Sequence, residues 1–145
     1  MRFRGTAEFI ATRGEVWPFL VDPTLFWPCS PYPIERVDDT RFFANARIGS
    51  GMFSATIRID IEVTDVVPGE HSRMTARGSV SGMTAEGSLD MTVRTAPSGG
   101  RTSVDWELEV RITGSFAAQA SRNVEEHAPE AVEQLLTCIH RQVEA

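Results

Sequence analysis

From Met52 to Val66, apolar and polar residues alternate almost without a break. Phe53, Ala55, Ile57, Ile59, Ile61 and Val63 fall on one side; Ser54, Thr56, Arg58, Asp60, Glu62 and Thr64 fall on the other. A period of two sustained over a dozen residues predicts an extended strand with one buried face. The same alternation recurs downstream. Met74, Ala76, Gly78 and Val80 mark one strand, Met83 through Val93 a second, and Val104, Trp106, Leu108, Val110 and Ile112 a third. Pro68-Gly69, Ser81-Gly82 and Pro97-Ser98-Gly99-Gly100 separate them as turns.

The N-terminal part begins as a strand over Phe3 to Ile10. Thr12-Arg13-Gly14-Glu15 then has the spacing of a capping box. A helix carrying Val16, Trp17, Phe19, Leu20 and Val21 follows, with Pro18 expected to bend it. Asp22-Pro23 predicts a second short helix that ends by Pro28. Beyond it, Ile34 to Val37 reads as a short strand and Asp38-Asp39-Thr40 as a turn. Phe42, Ala44, Ala46 and Ile48 alternate along the next strand, after which Gly49-Ser50-Gly51 allows a bend or bulge.

At Ser115 the period changes. Phe116, Ala120, Val124, Ala128, Ala131, Leu135, Ile139 and Val143 recur every three or four residues, which predicts one long amphipathic helix. Ser115 is its expected N-cap, and Pro129 is expected to kink it without ending it. The order is strand, two short helices, about six further antiparallel strands, long helix. A one-sided sheet must cover its apolar face, and the final helix is the large cover available. The reading is an α+β helix-grip fold: a curved antiparallel sheet of about seven strands around a C-terminal helix, with residues 1–145 forming a single domain.

Composition narrows the function. The net charge is −6, and every basic residue is Arg. An acidic chain argues against nucleic-acid binding. The lack of lysine excludes Schiff-base chemistry and a P-loop. No stretch approaches the ~20 apolar residues of a membrane span, and the N-terminus lacks a signal-peptide pattern. A cytoplasmic location is the expectation. Cys29 and Cys138 stand in no metal-ligand spacing, so no metal or cofactor is expected; both are read as buried, reduced thiols, with a disulfide between them as the less favoured alternative.

The inward positions of the four clearest strands carry no charge and many small residues: Ala55, Ala76, Gly78, Ala85 and Gly87. Such a face leaves space beneath the helix, and an apolar cavity is the expected result. Its candidate lining is Phe53, Ile57, Met74, Met83, Leu89, Met91 and Trp106 from the sheet, and Val124 from the helix. Residues 26–33, FWPCSPYP, are too proline-rich for a regular element and too apolar for a solvated loop. They are read as a stiff rim, with Phe26, Trp27, Tyr32 and, from the helix, His127 around the mouth. General acid–base catalysis needs a polar group inside, and only Tyr32, Asn45, Asn123 and His127 could supply one. The reading therefore leans away from an enzyme; a cyclase- or dehydratase-like activity is the alternative.

Specific residues carry a family resemblance. Val16-Trp17-Pro18-Phe19-Leu20-Val21-Asp22-Pro23 resembles the V-W-x-x-L-x-D-P signature of the carbon monoxide dehydrogenase G-subunit family, within the START-like, Bet v1-like (SRPBCC) superfamily that includes polyketide cyclases. Cys29-Ser30-Pro31 looks like that family's C-I-P segment, although Tyr32-Pro33 follows where glycine is usual. Gly78, Gly82, Gly87 and the Gly114–Gln119 stretch are similar as well. Gly49-Ser50-Gly51 stands where a Gly-Pro is common. Many members carry a C-terminal tail with a membrane segment; this sequence ends at Ala145, and membrane anchoring is not expected of it. The resemblance implies a hydrophobic, lipid- or quinone-like ligand and an accessory role toward a molybdenum hydroxylase.

Overall fold

A computed structural model describes residues 1–30, 32–48, 55–80, 82–95 and 100–144. The strands are β1 (Arg2–Phe9), β2 (Ile34–Arg36), β3 (Arg41–Ile48), β4 (Ala55–Val67), β5 (His71–Val80), β6 (Met83–Thr95) and β7 (Thr102–Gly114). They form one curved antiparallel sheet in the order β1-β7-β6-β5-β4-β3-β2. Helix α1 (Arg13–Val21) and a 3-10 segment (Pro23–Cys29) connect β1 to β2, and α2 (Ala117–Val143) follows β7. The sheet starts with β1 at one edge and returns to it through β7, so α1 and the 3-10 segment must cross the sheet's width to reach β2.

Register puts the alternating apolar residues in rows across the concave face. Ala7, Val104 and Val93 are aligned, then Gly5, Trp106, Met91 and Ser72, then Phe3, Leu108, Leu89, Met74 and Val63. The first row is fully buried, while Ile57, Ala85, Val110 and Ile112, further along the strands, are half-exposed. Packing is therefore tight where α1 and the last turns of α2 meet the sheet and looser toward the start of α2. On the convex face, Arg73 grips Asp90 through Nε at 2.9 Å and Nη2 at 3.1 Å, and Arg94 does the same to Asp105 at 2.6 and 2.8 Å. These pairs lie on a solvated surface and contribute little to stability.

Helix α1 begins as its sequence requires. The Thr12 hydroxyl accepts from the Glu15 N–H, and the Glu15 carboxylate accepts from the Thr12 N–H at 3.1 Å, a complete capping box. Two buried hydroxyls then pin the segment to the sheet. Thr102 Oγ1 donates to the Ala11 carbonyl at 2.8 Å, and Ser72 Oγ to the Leu20 carbonyl at 2.6 Å. The latter satisfies a carbonyl in the last turn of the helix, where no intrahelical donor remains. Ser72→Ala is expected to lower stability by about 1–3 kcal/mol, because the Leu20 carbonyl loses this donor in a dry site. Urea denaturation at equilibrium measures it.

Several local expectations change. The 3-10 segment replaces the second α-helix and extends through Pro28 to Cys29. Strand β1 stops at Phe9, and Ile10 is 68% exposed. The N-cap of α2 is Phe116 rather than Ser115; it has φ 62° and makes no side-chain cap bond. Its ring is 78% exposed, so it does not belong to the buried stripe. As expected, Pro129 does not end the helix, which continues to Val143. A register shift between Thr64 and Val67, with Asp65 at φ 51°, interrupts the β4–β5 ladder. The bend read at Gly49-Ser50-Gly51 and most of the Pro97–Gly100 loop lie outside the described residues.

The cysteines require the largest correction. Cys29 and Cys138 are joined as a disulfide, with their Cα atoms 5.6 Å apart. In the sequence 109 positions divide them, and they read as separate thiols. The fold lays the end of the 3-10 segment against α2, which brings them within bridging distance.

Candidate functional site

An apolar cavity of about 230 Å³ lies between the sheet, α1 and the C-terminal half of α2. The sheet contributes Ala7, Phe9, Leu89, Met91, Val104, Trp106 and Leu108. Val16, Phe19 and Leu20 come from α1, and Val132, Leu135, Leu136, Ile139 and Val143 from α2. Leu135 is 38% exposed while also lining the space, so this part of the wall is thin. At Gly5 the Trp106 indole lies against the β1 backbone: a Cβ there would sit 2.8 Å from the ring. Any side chain at position 5 would displace the indole.

Among the described residues, the wall presents no acidic, basic or hydroxyl side chain. Its polar atom is Trp106 Nε1, which is buried and without a hydrogen-bond partner. Such a wall can hold a molecule by shape and dispersion.

Of the residues singled out from sequence, Leu89, Met91 and Trp106 lie on this wall. Met74 is buried beside Leu89 in the adjoining core. Ile57, Met83 and Val124 are half-buried and outside the lining, toward the looser end of the sheet and the start of α2. Phe53 lies outside the described residues, as do the side chains of Phe26 and Trp27. The Tyr32 hydroxyl donates to the Arg47 carbonyl at 2.7 Å, across the rim rather than inward. His127 is exposed, with Nδ1 2.9 Å from the Asn123 carbonyl oxygen, and Asn45 and Asn123 are exposed too. None of these four polar residues lines the cavity.

Sequence reasoning missed the contribution of α1, although its signal was present. Val16, Trp17, Phe19, Leu20 and Val21 make that helix apolar nearly all round, as expected of an element covered on both sides. It also missed Val132 and Leu136. These lie one residue beyond Ala131 and Leu135, so the cavity-facing stripe of α2 is wider than the single row read from its spacing.

The model of the CoxG family, the G subunit of carbon monoxide dehydrogenase, matches residues 5–144. The chain belongs to this family. Solved structures support the fold of this CoxG-family protein. A conserved protein from Geobacillus kaustophilus superposes with a TM-score of 0.81 at 20% identity, covering 99% of this chain and 95% of that one. A START superfamily protein from Mycobacterium smegmatis gives 0.66 at 13% identity over 99% and 97%. The di-domain ARO/CYC protein BexL gives 0.60 at 13% identity over 100% and 50%. The fold is thus START-like. A 79-residue stretch, 52% of the chain, is also 38% identical to hippocampus abundant transcript-like protein 1 of Bos taurus. The chain spans 15% of that protein's length. No helix among the described residues is long and apolar enough to cross a membrane.

Proposed function

We propose that this CoxG-family protein binds a hydrophobic or amphipathic small molecule, lipid- or quinone-like, in the cavity between the sheet and α2. One observation carries the reading: a space of about 230 Å³ whose wall, among the described residues, offers no charged or hydroxyl side chain. A dry apolar cavity of about 150 Å³ already accommodates benzene, so this one has room for more than a single ring. In this reading residues 1–145 act as one START-like unit in the cytoplasm. Its role is accessory to a molybdenum hydroxylase of the carbon monoxide dehydrogenase type, and the family assignment supports that role. The absence of a proton-transfer group from the described wall weighs against the cyclase-like alternative.

Ala7 tests the proposal. It is 4% exposed, lines the cavity and pairs with Val104 on β7. Ala7→Phe places a ring in the space a ligand would occupy, on a strand that favours aromatic residues. Titration with the neutral fluorophore N-phenyl-1-naphthylamine is expected to show at least a tenfold loss of affinity. Far-UV circular dichroism of the variant is expected to stay native. Unchanged affinity would move the binding site elsewhere.

A further inference from the structure

The disulfide joins two parts of the cavity's surround. Cys29 ends the 3-10 segment that continues from α1, and Cys138 sits on α2 between two lining residues, Leu136 and Ile139. The other polar ties that hold α2 to this corner are near its last turns. The His140 ring has Nε2 2.6 Å from the Glu8 carbonyl oxygen and stacks on Phe9, and the Ile10 N–H donates to Glu144 Oε1 at 3.0 Å. Val132 and Leu135 line the cavity on the other side of the bridge, and Leu135 is 38% exposed. The bridge is therefore the covalent tie between the rim and the part of α2 that closes the space. Both cysteines are half-buried, and Cys138 borders a surface depression with Thr137 and Arg141, the side from which a small thiol would approach.

We infer that the Cys29–Cys138 bridge is a redox-operated clamp on the cavity. Oxidised, it holds the 3-10 segment against α2 and slows ligand exchange. A dithiol reductant attacks one sulfur as a thiolate, giving a mixed disulfide; its second thiol displaces the protein sulfur and closes the reductant's own disulfide. Two electrons and two protons pass to Cys29 and Cys138, which become thiols, and the rim and helix separate. Disulfides in the cytosol, where they occur, are mostly transient and redox-sensing, so this inference fits the proposed location. Its effect on ligand exchange rests on the proposed function; its effect on the backbone does not.

The test compares oxidised protein with dithiothreitol-reduced protein by ¹⁵N relaxation and by stopped-flow release of N-phenyl-1-naphthylamine. On reduction, order parameters at residues 24–27 and 130–136 are expected to fall from about 0.85 toward about 0.6, with β5 to β7 unchanged. Fluorophore release is expected to become at least fivefold faster, and reoxidation to restore both. A Cys29→Ser/Cys138→Ser variant is expected to match the reduced protein and ignore dithiothreitol. Order parameters that change only at the residues flanking the cysteines would overturn the clamp, as would an unchanged release rate. A fluorophore that binds neither form would count against the proposed function, while relaxation still decides the clamp.

Discussion

Under oxidising conditions, Cys138→Ala is expected to lower the free energy of unfolding by about 4–5 kcal/mol. The bridge closes a loop across 109 positions of the chain. In the chain-entropy account, a cross-link stabilises by restricting the unfolded ensemble, and a loop of about 100 residues contributes about 4.7 kcal/mol. Typical domains have about 5–15 kcal/mol in all, so the variant should fold but with little reserve. Guanidinium denaturation of oxidised wild type, reduced wild type and the variant measures the effect. The last two are expected to coincide. A difference below about 1 kcal/mol between oxidised wild type and the variant would mean that the unfolded chain gains little freedom when the bridge is removed, or that the native state gains an offsetting relaxation.

The second large effect is at Gly114, where β7 hands over to α2. Its φ is +98°, and a Cβ would overlap the Gly82 carbonyl oxygen and lie 3.1 Å from Met83 Cα. Both obstacles are backbone at the start of β6, in a ladder paired to β7 through Met83 and Gly114 themselves. Neither can rotate away as a side-chain tip could. Strained backbone of this kind costs about 1–3 kcal/mol, and the contact adds to it. Gly114→Ala is therefore expected to cost at least about 3 kcal/mol. It should also disturb the Ser115 N–H to Gly82 carbonyl bond and the approach of α2 to the sheet. Thermal unfolding, with near-UV circular dichroism of the Trp106 environment, reads both. A loss under about 1 kcal/mol would show that the β5–β6 turn moves freely, contrary to this geometry.

The sheet was the most legible part of this chain. On a sheet buried on one face, period two leaves no choice of which side points inward, and β4 to β7 obey it through Ile61, Met74, Leu89 and Leu108. Thr12 and Glu15 marked the start of α1 because a capping box acts over three residues. Features created by distant parts of the chain were not legible. The Cys29–Cys138 pairing depends on where α1 and the 3-10 segment cross the sheet, and no spacing encodes that. The start of α2 moved because Gly114 and Phe116 turn the chain through positive φ, which removes Ser115 from the cap. The cavity's floor was partly readable as the apolar stretch around Leu89, Met91 and Trp106. Its roof was not, because α1 gives no periodic signal of which side faces the sheet.

Whether this cavity holds a hydrophobic molecule is tested most directly by native mass spectrometry of the wild-type protein and Ala7→Phe, both isolated from the host organism. The expected result is a neutral, organic-extractable adduct on the wild type that is released on unfolding and missing from Ala7→Phe. The same adduct on both proteins, or the bare chain for both, would contradict the account.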